Sequence, residues 1–273
     1  MLFQLVEASD NAYWRIQGLA RSAREGRLTG RSSRLRAQSR NYLPSTVYRL
    51  MVPLVLLRLC QRHLTVVDLS LEPEIHHQYT LAKLLYRSWN AVRSLTELGS
   101  HPIAYEPYRG KSKVLAPTNP AIEARQHLNL QQIDRAVESL IVEEGPTRLL
   151  RCRTYGEFVE AYRDETSTVN QTCVRMMRLF EDFHPEKKPV LWRILITQAH
   201  LYKALVRTSD KGSNSFANPV EVFDIQERND FDWRPSGSEA TVEEAIEWPF
   251  SAARDYLAQR LERLEYVRGV KQE

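Results

Sequence analysis

Apolar residues recur every three or four positions along most of the chain, which is the period of helices that bury one face. A proline and a serine at 44–45 introduce one such stretch, and Pro53 is expected to kink it. The pattern predicts helices at residues 3–22, from 45 past 57, and at 73–99, 120–143, 155–164, 168–183, 189–207 and 249–267. Two short stretches, 65–71 and 220–226, are candidate strands.

Three pairs of polar residues mark helix starts. Asn129 with Gln132, Thr154 with Glu157, and Thr241 with Glu244 have the spacing of a capping box. In that motif the first side chain accepts a hydrogen bond from the backbone of the third helical residue, whose side chain returns one. These pairs predict helices that begin just after residues 129, 154 and 241.

Two long segments lack periodicity: 100–118, with three prolines and Gly110, and 208–238. Loops of this length are uncommon within a compact domain and often form binding surfaces. The prediction is a mainly α protein: an irregular multi-helix bundle with two long loops and at most a small β element. Residues 1–100 would form an N-terminal helical part and 119–273 a C-terminal helical bundle, with protein partners bound through 100–118 and 209–238.

The composition restricts the class of protein. Apolar residues make up 42% of the chain and charged residues 26%, as in ordinary globular proteins. Three widely spaced cysteines suggest a reducing, intracellular setting, and we expect a cytoplasmic protein. The longest uninterrupted apolar run, residues 50–57, contains Pro53 and is short for a membrane span of about 20 residues. We therefore expect no membrane segment, and no secretory signal is visible because Glu7 and Asp10 interrupt the N-terminal stretch.

Positive charge is concentrated near the N-terminus. The net charge is +4, yet residues 15–40 hold eight arginines and one acid, so this segment carries +7 and the rest carries −3. The segment has no lysine, and arginine offers a planar fork that pairs bidentately with phosphate. We expect a poorly ordered arginine-rich arm whose phosphate contacts come from Arg21, Arg24, Arg27, Arg31, Arg34, Arg36 and Arg40.

Other interpretations of the arm stay open. The chain has 30 arginines and 8 lysines, so the arm could be a solvated connector in a protein rich in arginine throughout. An organelle presequence is disfavoured because the arm follows an acid-containing amphipathic segment. The aromatic residues that would stack on unpaired bases are sparse, since only Tyr13, Trp14 and Tyr42 flank the arm.

Motifs of common enzymes are absent. The ten glycines form neither a dinucleotide-binding fingerprint nor a phosphate-binding loop, and no zinc-protease or CxxC pattern occurs. Cys60 and His63 are three positions apart on a predicted helix, where such residues more often belong to the core than to a zinc site. We expect no cofactor and no metal.

One spacing suggests nuclease chemistry. Arg58 and His63, and in a looser form Arg193 and His200, resemble the Arg-x4-His motif of the HEPN ribonucleases. In that family an arginine and a histidine cleave RNA without a metal at a dimer interface. Imidazole exchanges protons near neutral pH, and guanidinium stabilises charge that develops on phosphate. The resemblance implies a metal-independent RNA endonuclease as an alternative function.

The segment 223–233 mixes aromatic and acidic residues. Phe231 and Trp233 could anchor a protein partner, or they could pin the loop to the body of the molecule. Our first functional hypothesis is a non-enzymatic subunit of a larger assembly that binds or scaffolds RNA or DNA, with the arm on the phosphates. A further alternative is a protein–protein adaptor whose arm binds an acidic partner.

Overall fold

The mainly α prediction is confirmed. A computed structural model describes residues 2–28, 33–63, 73–91, 126–146, 148–181, 183–210 and 217–269; for 2, 33–41, 63, 73–74, 208–210 and 264–269 it describes the backbone only. The described elements are α1 Leu2–Arg24, α2 Ser33–His63, α3 Pro73–Ser88, α4 Leu130–Ser139, β1 Ile141–Glu144, β2 Leu149–Cys152, α5 Tyr155–Arg163, α6 Thr168–Phe180, α7 Pro189–Asp210, α8 Ile225–Asn229, a π-helical turn Glu243–Glu247 and α9 Trp248–Gly269.

Helix α7 is the centre of the core. Residues 190–202 are all buried, and α1, α3 and α9 pack around this helix. A helix buried on every side needs no single apolar face, which explains its long run of apolar residues. Buried side chains from both halves of the chain belong to one continuous cluster. The predicted boundary at 100–118 lies outside the described residues, so the division into two parts stays a prediction.

A second layer packs along α2. Helices α4, α5 and α6 and strand β2 all contact α2. The capping boxes at Asn129 and Thr154 are both formed, which confirms these two helix starts. Thr241 and Glu244 exchange the same pair of hydrogen bonds, 2.9 and 3.2 Å long, at the start of the last helical segment.

Helix α2 begins earlier than predicted. It starts at Ser33 and continues through Pro44, although the sequence pattern suggests Pro44 as its first turn. Proline removes only its own backbone donor, so a helix can continue past it with one hydrogen bond fewer. The prediction of a poorly ordered arm is therefore wrong for residues 33–40, which lie in α2. Residues 15–24 lie in α1, in keeping with the helix predicted at 3–22.

The helix predicted at 73–99 ends at Ser88. Its end is tightened by hydrogen bonds from Asn90 to Arg87 and from Ala91 to Ser88, each spanning three residues. Trp89 follows directly and is fully buried, so the chain turns there into the core.

The helix predicted at 120–143 is also too long. Residues 141–144 form a strand that pairs antiparallel with β2, with Ile141 opposite Cys152. Gly145 and Arg148 take positive φ values of 66° and 51°, which reverses the chain between the strands. This hairpin is a small β element of the size that the sequence allows.

The candidate strand at 220–226 is wrong. Val220 lies in a turn, and Ile225 begins the short helix α8, whose N-terminus is capped by Asp224. A capping box between Asp224 and Glu227 fixes this start. The other candidate strand, 65–71, lies outside the described residues.

One segment within α2 has the length and composition of a membrane-spanning helix. In the part of the chain that the structure describes, Tyr42–Arg62 passes this test with a mean hydropathy of 1.4, and 61% of the segment's apolar window is buried inside the protein. The central helix of a soluble protein passes the same test, so the segment is weak evidence for a membrane. Our expectation of no membrane segment stays a prediction.

Candidate nucleic-acid interface

The C-terminal end of α1 presents the described part of the arginine-rich segment. Ile16, Leu19 and Ala23 of this helix are buried, which fixes its orientation on the core. Its opposite face therefore points to solvent, and Arg21 and Arg24 lie in its last turn. Cations are favourable there because the carbonyl end of a helix carries partial negative charge.

A glycine ends this helix in a defined way. Gly26 has φ +68°, and its N–H donates to Ala23 O at 3.0 Å, while Arg27 N–H donates to Ser22 O at 2.9 Å. This pair of hydrogen bonds is the Schellman motif, in which a residue in the left-handed region terminates a helix. The motif fixes the direction in which the chain leaves α1, and Arg27 directly follows it.

The described arginines differ in their exposure and in their partners. Arg21 is exposed and forms no ion pair with any described residue. Arg27 is exposed and pairs through Nε with Glu25 at 2.8 Å, an arrangement that leaves most of the guanidinium in solvent. Such exposed pairs contribute about 0–1 kcal/mol, so Arg27 can exchange its partner at little cost.

Arg24 holds a loop. Its Nε donates to the carbonyl oxygen of Asp232 at 2.6 Å, and its terminal nitrogen reaches the carbonyl of Asn229 at 3.4 Å. Arg15 is likewise engaged within the fold, since it donates to Ser45 Oγ at 2.7 Å and lies over the Tyr42 ring. These two arginines tie α1 to the rest of the molecule.

Two carboxylates of the second long loop, Asp232 and Glu227, pair with other cations. Arg234 hydrogen-bonds to Asp232 and holds the pKa of that carboxyl below its usual range. Burial would raise the pKa of Glu227, but hydrogen bonds and charge from Lys203 and Arg207 outweigh it and lower this pKa. These carboxylates are therefore compensated by cations other than Arg21 and Arg27.

The remaining arginines of the predicted set are described incompletely. Arg34, Arg36 and Arg40 lie on the first turns of α2, where only the backbone is described, and Arg31 lies outside the described residues. Their contacts with phosphate stay a prediction.

The pairs that resemble the HEPN motif do not form an accessible site among the described side chains. Arg58 lies over the Tyr86 ring, and its guanidinium pairs with Asp134 and Glu138 of α4, so it joins α2 to α4. The side chain of His63 lies outside the described residues.

The second pair is in the core. Arg193 and His200 are 3% and 1% exposed, so neither reaches an RNA phosphate in this fold. His200 Nδ1–H donates to the carbonyl of Pro219 at 2.7 Å, and burial lowers the pKa of this histidine to about 3. It is therefore neutral near pH 7.

The aromatic residues of the second long loop are pinned to the body. Phe231 and Trp233 are buried, and Phe231 contacts the rings of Tyr13, Phe223 and Phe250 at centroid distances of 5.5–5.9 Å. Of the two interpretations that the sequence leaves open, the structure supports the one in which Phe231 and Trp233 anchor the loop to the body of the protein. These side chains cannot serve as exposed anchors for a partner.

A groove of about 430 Å³ runs beside α1. It is lined by polar and apolar side chains of α1 and α2 and by Tyr155 of α5. The residues from α1 are Gln4, Glu7, Ala8 and Asn11. The groove carries charges of both signs, Glu7 and Arg49, so it has no evident preference for a polyanion. Within the described residues, no cluster of His, Cys, Asp and Glu could hold a metal ion.

Sequence reasoning missed the outward position of Trp14. Tyr13 is buried and Tyr42 is partly covered by Arg15, whereas Trp14 is 56% exposed. The signal was present in the sequence, because Trp14 lies outside the apolar stripe of α1 formed by Leu5, Ala12, Ile16 and Leu19.

Comparison of the chain with protein-family models, curated proteins and solved structures finds no match.

Proposed function

We propose that the protein binds nucleic acid as a non-enzymatic subunit of a larger assembly, with the arginine-rich segment 15–40 contacting phosphates. The observation that carries the proposal is the concentration of +7 charge in this segment, together with the exposure of Arg21, Arg24 and Arg27 where α1 ends. Neutralising phosphates releases condensed counterions, so a cationic segment of this kind gives affinity that falls as salt rises.

The hydrogen bonds within the fold divide the arginines into two groups. Arg15 and Arg24 hydrogen-bond to other parts of the protein, and they position α1. Arg21 and Arg27 face solvent without a buried partner, so they are the described residues that we assign to phosphate binding. Asp232 and Glu227 of the second long loop are paired with Arg234, Lys203 and Arg207, and the ion pair of Arg27 with Glu25 is solvent-exposed and exchanges at little cost.

The test is the salt dependence of binding. Affinity of the purified protein for a labelled oligonucleotide, single-stranded and duplex, is measured by fluorescence anisotropy between about 50 and 200 mM salt, the range in which phosphate binding is sensitive. We expect a linear fall of log K with log salt. The double variant R21Q and R27Q should reduce the slope by about 0.7–0.9 for each phosphate that is no longer neutralised.

A matched control changes the same net charge elsewhere. Arg175 and Arg178 are exposed on α6, which packs against α4, α5 and α2. The variant R175Q and R178Q should keep the wild-type slope. Equal reductions of the slope in both double variants would contradict a localised interface, and salt-insensitive or absent binding by the wild type would refute the proposal.

A further inference from the structure

Three positions on the outer face of α1 form an unusual surface. Trp14, Gly18 and Arg21 are spaced by four and three residues, so they share one side of the helix and extend over about 10.5 Å of its length. We call this row the α1 stripe. It carries an exposed aromatic ring, a position without a side chain, and an exposed cation, in that order toward the arginine-rich segment.

The indole of Trp14 is exposed, and its ring packs against the buried ring of Tyr13. Its ring meets Tyr13 edge-on, with centroids 5.6 Å apart and planes at 76°. Tyr13 in turn stacks on Phe223 and contacts Phe231, both buried in the core. An exposed indole is a side chain on which nucleic-acid bases stack, so Trp14 offers an aromatic ring to a base from outside the protein.

Gly18 makes no close packing contact in the part of the chain that the structure describes. Glycine is among the least favourable residues inside a helix, and it is commonly retained where two helices approach closely. Here an added Cβ would meet no atom within 4 Å. Packing among the described residues therefore does not require a glycine at this position, whereas a molecule lying across the α1 stripe would.

We propose that the α1 stripe is a stacking platform for single-stranded nucleic acid; this proposal rests on the proposed function and names its substrate class. An unpaired base stacks on Trp14, the strand passes over the bare helix surface at Gly18, and Arg21 and then Arg27 neutralise its phosphates. Stacking on an aromatic ring is tolerant of sequence because every base has a π-face.

Charge and geometry favour an unpaired strand. The base faces of a duplex are covered by their neighbours, so a ring fixed on a helix surface reaches a base face only when the base is unstacked. The side of α1 before Trp14 carries Glu7, which repels phosphate, whereas the side after it leads to Arg21, Arg24 and Arg27. A strand stacked on Trp14 is therefore drawn toward the end of α1.

The experiment compares variants on single strand and duplex. W14A should weaken binding of a labelled single-stranded oligonucleotide about 5- to 150-fold, the equivalent of 1–3 kcal/mol of stacking per base. It should change duplex affinity little and leave the salt slope as in the wild type, since the arginines still neutralise the same phosphates. W14F should recover most of the affinity. Phe3 is 77% exposed on the same helix, so F3A is the matched control and should bind as the wild type does.

Gly18 provides a variant in which the helix propensity of α1 rises. Leucine is a much better helix former than glycine, so G18L should make the helix more stable while its side chain blocks the path across the stripe. Single-strand affinity should therefore fall although thermal stability rises. Tryptophan emission gives a second readout: Trp89, Trp192 and Trp233 are buried and Trp248 is partly buried, so the part of the quenching by the oligonucleotide that disappears in W14F reports on Trp14.

The outcomes separate this proposal from the proposed function. Binding that depends on Arg21 and Arg27 but is unchanged in W14A and G18L overturns the stacking platform and leaves phosphate binding intact. Equal weakening of single-strand and duplex binding in W14A also overturns it. A wild type that binds neither nucleic acid at low salt overturns both proposals.

Discussion

Two glycines of the same chain segment should respond oppositely to the same substitution. Gly26 has φ +68°, and in that region a residue with a Cβ costs about 1–2 kcal/mol. Alanine also lowers the conformational entropy of the unfolded chain, which stabilises the folded state by about 0.4–1 kcal/mol. No atom of the described residues lies within 4 Å of the new Cβ, so no clash with them adds to this cost. G26A should therefore destabilise the protein by about 1 kcal/mol, because the backbone strain in the folded state exceeds the gain from the lower entropy of the unfolded chain.

Gly18 is the matched control. It lies inside α1, again with no atom within 4 Å of an added Cβ, so G18A should stabilise the protein by about 0.8–1 kcal/mol through helix propensity alone. The two variants should thus differ by about 2 kcal/mol. For 273 residues the unfolding entropy is about 0.6 kcal/mol/K, which corresponds to about 3–4 °C in Tm.

Urea titrations and thermal melts of the two alanine variants measure this difference. G26N should be destabilised less than G26A, because asparagine tolerates the left-handed region better than other residues with a side chain. If G26A is as stable as G18A, the chain does not leave α1 through a left-handed residue, and the position that we assign to Arg27 is wrong.

Two further predictions concern the second long loop and α7. F231A should destabilise the protein by about 3–5 kcal/mol in urea titrations, because this fully buried ring contacts four other aromatic rings. I225A, a change at a 78% exposed side chain of the same loop, should stay within about 0.5 kcal/mol. Similar small effects in both variants would mean that the loop is not pinned. The pKa of His200 is about 3 in the folded protein and about 6.5 in the unfolded chain. As the pH falls, His200 is therefore protonated in the unfolded chain before it is protonated in the folded protein. The stability that His200 contributes is therefore complete above pH 6.5 and is lost as the pH falls from 6.5 toward 3. H200Q should show proton uptake on unfolding that is smaller by about one between pH 6 and 4; an unchanged uptake would show that His200 is not buried as a neutral group.

The helices could be predicted from the sequence because their signals are local. Asn129 and Thr154 lie next to the backbone groups that they cap, and apolar residues three and four apart share a face whatever lies opposite. The failures come from signals that are not local. Ile141 and Val142 continue the helical pattern of α4, but pairing with residues 151 and 152 makes them a strand. Pro44 has the form of a helix start, yet the helix already extends before it.

The candidate site likewise combines features that can be predicted from the sequence with features that depend on the folded chain. The concentration of arginine can be counted in the sequence, but the sequence does not tell which arginines the fold uses. Arg24 binds carbonyls more than 200 positions away, and Arg58 binds two carboxylates of α4, so both are occupied by partners that only the folded chain brings near. The outward position of Trp14 could have been inferred, because it breaks the apolar stripe of a helix that is otherwise well patterned.

The central position of α7 has a consequence for synthesis. Helices α1 and α3 bury their apolar faces against α7, which begins about a hundred residues after α3 ends. At a translation rate of about 5–20 residues per second, α3 leaves the ribosome about 5–20 s before the helix that covers it, and α1 leaves earlier still. During that interval the apolar segment Tyr42–Arg62 also lacks part of its packing. The nascent chain should therefore depend on chaperones that shield exposed apolar helices until α7 emerges.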